Sequence, residues 1–591
     1  MTRVYEEYRP REITFGRKAS ILRQWLDSQS LILGGCVLLV VYLSGFPLAM
    51  LLFGSFRSAP VGEPGAAFTL QNYATAYLDT DVYWLFWNSL RFAVGTSLVS
   101  FSIGTYLAWL SERTNTPFRK IFIVMALIPF LIPGILETIA WIFLLSPKIG
   151  LINVSLMKLF GFESALFNVY SMWGLIWVEG LSFYPIVFLL MSAAFRSMDP
   201  SLEEASRVAG SNTWSTLRRV TFPIMRPSIL SVYLIIFIRA IEAFEVPALI
   251  GIPAEIYVFT SRIFLAIHQF PSDFGLAGTY SVSVMVLSVG GVLLYQRATK
   301  QGERYATITG KGYRPGAIDL GKWRYVTFAS AILVFFVAVV LPLSVLVWSS
   351  FIPYYGIPSR ELIGKLTLDN YRYILGYPTA RIAFKNSFIL SVGTATLTML
   401  LTSVIAWITV RTRIRGRGVL ESLAFIPITI PGIVLGVSLI WVYLTLPKIV
   451  PVINIYGTLW IMLVAYITKY MPYGIRAASG TMIQISKEME EASNVCGASW
   501  FRTFWRVIIP LLMPGFMAGW VYISVVSLRE LSTSILLYSY DSTVLSIIAF
   551  DLWEGGQYTY VAALGVLMIL FMIAVVSVAR MFGGKLGVAA R

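Results

Sequence analysis

Twelve long apolar stretches constrain the fold of this chain more than any other feature of its sequence. A helix needs about 20 mostly apolar residues to cross a bilayer. Hydrophobic residues fill 57% of the 591 positions and charged residues only 13%, which predicts an all-α membrane protein. The expected spans are 31–56, 86–110, 119–145, 168–195, 225–250, 276–297, 327–351, 386–410, 419–446, 456–484, 515–538 and 559–582.

The positions of Lys and Arg predict how these spans are oriented. Alternate loops hold 31 of the 46 basic residues, and cytoplasmic loops carry the excess of positive charge in membrane proteins. We therefore expect both termini to be cytoplasmic, including a polar, basic segment over residues 1–30. The net charge of +16 follows from this topological bias, so a nucleic acid is not an expected partner.

One predicted cytoplasmic loop occurs twice, at an offset of 287 residues, over 199–216 (loop 1) and 486–503 (loop 2). Asp199 and Ser486 are residue types that cap the start of a helix. Gly210 and Gly497 suit the left-handed conformation that ends one, and Asn212 and Ser499 are expected to cap a second helix. The pattern predicts a helix, a glycine bend and a second helix. A DNA-reading helix-turn-helix has this outline too, but the flanking apolar stretches exclude a soluble domain.

The duplication extends over most of the chain. Further matches at an offset of 298 residues include Thr69–Tyr73 with 367–371, Asn88-Ser89 with 386–387, and Ile132–Ile135 with 430–433. They predict two six-span halves in parallel orientation. The expected domains are a cytoplasmic segment over 1–30, a first half over 31–297, a linker over 298–326 and a second half over 327–591.

The doubled loop resembles the coupling loop of binding-protein-dependent ABC importer permeases. Glu204-Ala205-Ser206 and Glu491-Ala492-Ser493 match its Glu-Ala-Ala pattern, with serine in place of the second alanine in both copies. The resemblance implies the MetI-like permease fold in each half. Within the family, the fused halves and the segment 529–533 are most similar to ferric iron permeases. Thiamine, aminoethylphosphonate, polyamines and other small solutes are alternatives.

This resemblance implies a transport subunit of the bacterial inner membrane rather than an enzyme. Its expected partners are two copies of an ABC ATPase, a periplasmic solute-binding protein and the lipid bilayer. The chain itself is expected to bind no cofactor, because ATP and Mg²⁺ belong to the ATPase. The glutamates of the two loops are expected to face basic groups of the ATPase. The residues implied in ATPase coupling are Glu203, Glu204, Ala205, Ser206, Gly210, Glu490, Glu491, Ala492, Ser493 and Gly497.

Ionisable residues inside predicted spans indicate the translocation path, because such groups are costly in a membrane unless they face a cavity or each other. The candidates are Glu137, Glu179, Glu242, Glu245, Arg529 and Glu530, together with Arg239 and Lys469. Carboxylates on this path would suit a cation, although Arg239 and Glu242 are spaced to pair within one helix. The aligned position of Glu242 is Arg529, so the path is not chemically symmetric.

The same intramembrane acids leave open a second class of function. An ion-gradient-driven secondary transporter with parallel repeats would also use them. No metal site is predicted, because His268 is the only histidine and the two cysteines are far apart in the sequence. Prolines at 129, 133, 185, 427, 431 and 472 predict bends in spanning helices.

Overall fold

The computed structural model describes residues 28–59, 66–199, 201–302, 318–448 and 450–585, and these residues form an all-helical membrane protein. The segment 1–27, Pro200 and most of the expected linker, 303–317, lie outside the described residues. The first half contains α1 Ser28–Val40, α2 Phe46–Ser55, α3 Gln71–Leu78, α4 Asp81–Arg113, α5 Ile121–Leu127, α6 Gly134–Leu145, α7 Leu151–Phe160, α8 Met172–Ser197, α9 Ser201–Val208, α10 Thr213–Thr216, α11 Phe222–Ile241, α12 Phe259–His268 and α13 Phe274–Gly302.

The second half repeats most of this order, but α7 has no α-helical counterpart there, and the short helices Arg360–Ile363 and Ser534–Leu537 have no α-helical counterpart among the described residues of the first half. Short 3₁₀ turns, Leu446–Lys448 and Pro451–Ile453, stand in the place of α7. The second half contains α14 Trp323–Phe335, α15 Leu341–Phe351, α16 Arg360–Ile363, α17 Asp369–Gly376, α18 Pro378–Arg411, α19 Arg417–Phe425, α20 Gly432–Thr445, α21 Leu459–Gln484, α22 Glu488–Val495, α23 Trp500–Thr503, α24 Ile509–Leu528, α25 Ser534–Leu537, α26 Leu545–Glu554 and α27 Tyr558–Lys585.

The number of apolar spans is slightly lower than the twelve predicted. Within the described residues, nine helices are long and apolar enough to cross a membrane, or up to eleven if each of two bent pairs is one span. The remaining predicted span is α21, which has 26 residues, as does its counterpart α8. Lys469 and Arg476 lie in α21 and lower its apolar character.

Proline breaks the third span of each half. Ile121–Leu131 and Gly134–Leu145 meet at 95°, and Arg417–Thr429 meets Gly432–Lys448 at 110°. The breaks fall at Pro129 and Pro133 and at their counterparts Pro427 and Pro431, which confirms the predicted bends there. Pro185 and Pro472 lie inside α8 and α21, which continue as helices through these positions without the breaks seen in the third spans.

The fifth predicted span of each half is displaced along the chain. The structure places continuous helices over Thr213–Ile241 and Trp500–Leu528, instead of 225–250 and 515–538. After each helix the chain turns back into the bundle, through residues 242–258 and 529–544, before α12 and α26 begin. Hydropathy does not distinguish a helix that crosses the membrane from a segment that turns back into the bundle, because an apolar segment buried in protein resembles one that faces lipid.

The motifs that revealed the duplication make the same contacts in both halves. Asn72 donates from its side-chain amide to the carbonyls of Ser55 and Arg57, at 2.9 and 2.8 Å. Asn370 does the same for Ser350 and Ile352, at 2.9 and 2.8 Å. These asparagines thus satisfy carbonyls at the end of the first span, where the helix leaves them unpaired.

The two halves pack against each other through one continuous apolar core. Helix α2 of the first half packs on α20 of the second, and α15 of the second half packs on α6 of the first. The hydroxyls of Tyr42 and Tyr443 are hydrogen-bonded across this interface. A Cβ on Gly54 would lie 2.3 Å from the indole of Trp441, so only glycine permits this approach of α2 to α20.

Candidate functional site

The two repeated loops have the helix, bend and helix that the sequence predicts. Gly210 and Gly497 adopt φ values of +84° and +76°. The amides of Ser211 and Ala498 then donate to the carbonyls of Ser206 and Ser493, both at 3.1 Å, in the six-to-one bond that closes a helix over a left-handed glycine.

The predicted caps are confirmed at three of four positions. The amide of Ser201 donates to Asp199 at 2.9 Å, and this hydrogen bond holds the pKa of Asp199 below its usual value. The amide of Glu488 donates to the Ser486 hydroxyl at 3.3 Å, and that of Ser215 to Asn212 at 2.8 Å. Ser499 occupies the remaining cap position without a side-chain hydrogen bond, so that part of the prediction is wrong.

The serines that replace alanine in the motif fasten each loop internally. The hydroxyl of Ser206 lies 3.0 Å from that of Thr216, and the hydroxyl of Ser493 lies 2.8 Å from that of Thr503. Each bond joins the helix before the glycine bend to the helix after it. In each loop the glycine therefore ends the first helix, and the hydroxyl pair fixes that helix to the second one.

Glu203 and its counterpart Glu490 turn toward the protein rather than outward. Glu203 is buried against Arg113 and Thr221, so the expectation that it faces a partner is wrong. Glu490 is partly buried beside Arg411. Glu491 is exposed and Glu204 is half-buried. The expectation failed because Arg113 and Arg411 lie far from the loops in the sequence.

Apolar side chains form the outer surface of both loops. Val208 is 90% exposed and Val495, its counterpart, is 88% exposed. Leu202 and Trp214 in loop 1, and their counterparts Met489 and Phe501 in loop 2, are also exposed. We call these two sets of three residues the apolar patches. All three positions of the patch are thus apolar and exposed in both loops.

A cavity of about 140 Å³ lies between the halves, and most of the ionisable residues predicted for the path line it. It is bounded by α8 and α21, by the breaks in the third spans, and by the segments after α11 and α24. The lining includes Glu179, Ser182, Arg239, Glu242, Glu245, Lys469, Tyr470, Tyr473, Tyr522, Arg529 and Glu530. Of the predicted path residues only Glu137 is not in the lining, and its carboxylate accepts a hydrogen bond of 2.7 Å from Ser182.

The second half contributes a fixed ion pair to this cavity. Glu530 accepts hydrogen bonds from Lys469 and Tyr470, both at 2.6 Å. It also accepts from the amide and the hydroxyl of Thr533, at 3.1 and 3.0 Å. Four donors satisfy this carboxylate, as a buried charge requires. Glu530 therefore holds the cavity wall together.

The carboxylates of the first half are less completely satisfied. Glu179 is 95% buried, and its carboxylate makes no ion pair or hydrogen bond with another described residue. One buried oxygen of Glu242 and one of Glu137 have no hydrogen-bond partner within the described part of the chain. Arg239 donates to the Tyr473 hydroxyl at 3.3 Å rather than forming an ion pair with Glu242, so the alternative of a simple pair within one helix is wrong.

The cavity thus has two chemically different walls. Four acids and three bases line it, and three of those acids belong to the first half. Their aligned positions in the second half are Tyr466, Arg529 and Ser532, so the two walls carry different charges. The tyrosines of the second-half wall were not predicted, because a single Tyr in an apolar stretch gives no signal. No group of three or more potential metal-ligating side chains is found among the residues that the structure describes.

Comparison with known proteins adds two findings. The sequence profile of a family described as "Binding-protein-dependent transport system inner membrane component" matches residues 100–300 and 398–587. The Ferric transport system permease protein FbpB of Actinobacillus pleuropneumoniae is 27% identical over 497 residues, covering 83% of this chain and 69% of that relative. The Fe(3+)-transport system permease protein FbpB 2 of Haemophilus influenzae is 23% identical over 538 residues, covering 90% of this chain and 95% of that relative.

Proposed function

The chain belongs to the family of binding-protein-dependent transport system inner membrane components, and on that premise we propose that it forms the membrane path of an ATP-driven importer of ferric iron. The observation that carries this proposal is the loop that occurs twice with the same bend, the same hydroxyl link and the same exposed patch. Two equal loops suit two copies of one ATPase.

We propose that each ATPase binds the permease through one of the apolar patches. A short helix with exposed apolar residues binds efficiently in a groove, because its internal bonds already fix its conformation. Glu491 and the half-buried Glu204 lie beside these patches and would meet basic groups at the rim. ATP and Mg²⁺ would be bound and consumed on the ATPase, and this chain would supply no hydrolytic group.

The orientation follows from the charge bias of the sequence. Loops 1 and 2 belong to the set of loops that carries 31 of the 46 basic residues, which supports a cytoplasmic position for both loops and for both termini. The opposite end would then receive the solute from a periplasmic binding protein. The chain is accordingly a multi-pass protein of the bacterial inner membrane in this proposal.

The cavity between the halves is the proposed translocation path. Its acids outnumber its bases, and one carboxylate oxygen of Glu242 has no hydrogen-bond partner among the described residues. Carboxylate oxygens are suitable ligands for a hard cation. Ferric iron fits this wall, and the names of the ferric transport relatives support the same solute. Movement of the loops by ATP binding would open the cavity to one side and then the other.

Reconstitution of the full chain with its ATPase and binding protein tests the proposal. We expect iron uptake into proteoliposomes that requires ATP and the ATPase. Uptake by the chain alone, driven by an ion gradient, would instead establish a secondary transporter. Uptake of thiamine, an aminoethylphosphonate or a polyamine, but not iron, would retain the mechanism and reject the solute.

A variant of both patches tests the docking surface separately. Val208→Asp with Val495→Asp places a charge at each patch, and we expect the ATPase to be lost on copurification. Val452, which is 93% exposed in the loop between α20 and α21, provides the matched control, Val452→Asp. Equal ATPase recovery with the paired variant and with the control would reject docking at the patches.

A further inference from the structure

A buried arginine holds each loop to the end of a long helix. Arg113 is the last residue of α4, and its guanidinium is in contact with the carboxylate of Glu203 in α9. Both side chains are 3% exposed. Thr221 donates to the other oxygen of Glu203 at 2.7 Å. A buried carboxylate needs such partners, because losing them leaves a charge without compensation.

The same arrangement recurs in the second half. Arg411, the last residue of α18, lies 3.1 Å from the carboxylate of Glu490 in α22. The two pairs are related by the offsets of 298 and 287 residues that relate the halves. Both partners thus occupy aligned positions in the two halves. The arginine–glutamate pair is therefore a repeated structural feature of the loops.

The other end of the same helix contacts the segment that leads from the cavity. In α4, Ser89 accepts a hydrogen bond of 3.1 Å from the amide of Phe259, at the start of α12. In α18, Ser387 accepts one of 2.9 Å from Leu545, at the start of α26. Residues 242–258, which precede α12, carry Glu242 and Glu245 of the cavity wall. Ser89 and Arg113 are separated by about 36 Å of helix, at 1.5 Å per residue.

We propose that Arg113 and Arg411 are positioning residues that transmit movement of the loops, through α4 and α18, to the cavity wall. The proposal rests on the proposed function, in which an ATPase moves the loops. Each helix is a rigid element fixed at one end to a loop by an ion pair and at the other to the segment before α12 or α26. A displacement of the loop therefore displaces the carboxylates or the ion pair of the cavity.

The two connections are unequal, because the described part of the linker forms hydrogen bonds with the end of α4 and with none of the described residues at the end of α18. The amide of Ile318 donates to the carbonyl of Arg113 at 2.9 Å, and the amide of Asn115 donates to the carbonyl of Ile318 at 3.1 Å. The side chain of Asn115 is bonded to Asp319 at 2.6 Å. These bonds fix the end of α4 against the linker.

The second pair has fewer constraints. Ile508 stands where Thr221 stands in the first half, so Glu490 has no hydroxyl donor there. Nε of Arg411 and the Glu490 oxygen that lies 3.1 Å from it are not aligned for a hydrogen bond. Arg411 instead donates to the carbonyls of Met482 and Ile485. We therefore expect the first connection to be the stiffer of the two.

The test measures iron imported per ATP hydrolysed by the complete complex in proteoliposomes. We expect Arg113→Ala to lower this ratio at least fivefold, and Arg411→Ala to lower it less. The exchange of charges, Arg113→Glu with Glu203→Arg, should recover more of the ratio than either single change retains. Arg196→Ala is the matched control, because Arg196 pairs with Glu112 at 2.7 Å beside Arg113 but is 58% exposed, and it should leave the ratio unchanged.

Hydrogen–deuterium exchange provides a second measurement that does not depend on transport. ATP binding should change the exchange of the amides around Phe259 in the wild-type complex, and Arg113→Lys should retain more of this change than Arg113→Ala. A ratio within twofold of wild type in Arg113→Ala, or no recovery by the charge exchange, would overturn the proposal. Failure of the wild-type complex to import with ATP would instead reject the proposed function.

Discussion

Replacing Gly210 with alanine isolates the contribution of the glycine bend to ATPase binding. Gly210 has φ +84°, and a Cβ added there would meet no atom within 4 Å. The substitution therefore adds no clash inside the permease, and its cost is the backbone strain of a left-handed residue, about 1–2 kcal/mol. Since 1.4 kcal/mol is about a tenfold change in an equilibrium, the ratio of bent to unbent loop should fall about 5- to 30-fold, which is the upper limit for the loss of bent population.

The assay is the affinity of the purified permease for its ATPase. If the ATPase binds only the bent loop, its dissociation constant should rise in proportion to the lost population. Gly210→Asn should have a smaller effect, because asparagine tolerates the left-handed region better than alanine. Gly497, with φ +76° and equally open surroundings, should respond in the same way.

Gly161 provides the matched control. It has φ +70° with no atom within 4 Å of an added Cβ, and it ends α7 rather than a helix of the repeated loops. Gly161→Ala therefore carries the same strain without touching either loop, and the affinity should stay at the wild-type value. The reasoning is refuted if Gly210→Ala binds the ATPase as wild type does, or if Gly161→Ala weakens binding as much.

Two further substitutions test the contacts between and within the halves, both by thermal unfolding of the purified chain. Gly54→Leu should destabilise the chain by about 1–3 kcal/mol through overpacking, because the new Cβ would lie 2.3 Å from Trp441. Gly35→Leu is the control, because its surroundings are open, and it should leave the stability unchanged. Equal stability of the two variants would contradict the close packing at Gly54. Glu530→Gln removes the carboxylate that pairs with Lys469 and should cost about 3–5 kcal/mol. Adding Lys469→Met should recover part of that loss, and strictly additive losses would contradict the pairing.

The loops could be predicted from the sequence because their structure is determined locally. A glycine that ends a helix and an Asp or Asn that begins one act over three or four residues, and Gly210, Asp199 and Asn212 behave accordingly. The direction of Glu203 could not be predicted in this way. Its partner Arg113 is 90 residues away, and only the fold brings the two together.

The apolar spans show a similar limit. Uninterrupted helices such as α8 were predicted within a few residues, because length and hydropathy determine them. The displaced fifth spans were not, since residues 246–251 are apolar but packed inside the protein. Their carbonyls need protein or water rather than lipid, and sequence alone does not show which of the three surrounds them.

The two halves agree closely in the structure of the repeated loops but differ in the residues that line the cavity. The difference follows from what the loops and the cavity each contact. Loops 1 and 2 share the glycine bend, the hydroxyl link and the buried arginine; two identical ATPases would require this, since each must fit the same groove. In the cavity, Glu242 is matched by Arg529 and Glu245 by Ser532. In the proposed translocation path a single solute would meet both walls at once, so nothing would require the walls to be alike. Opposed charges also let acids stay ionised near bases in a buried site, which two identical acidic walls would prevent.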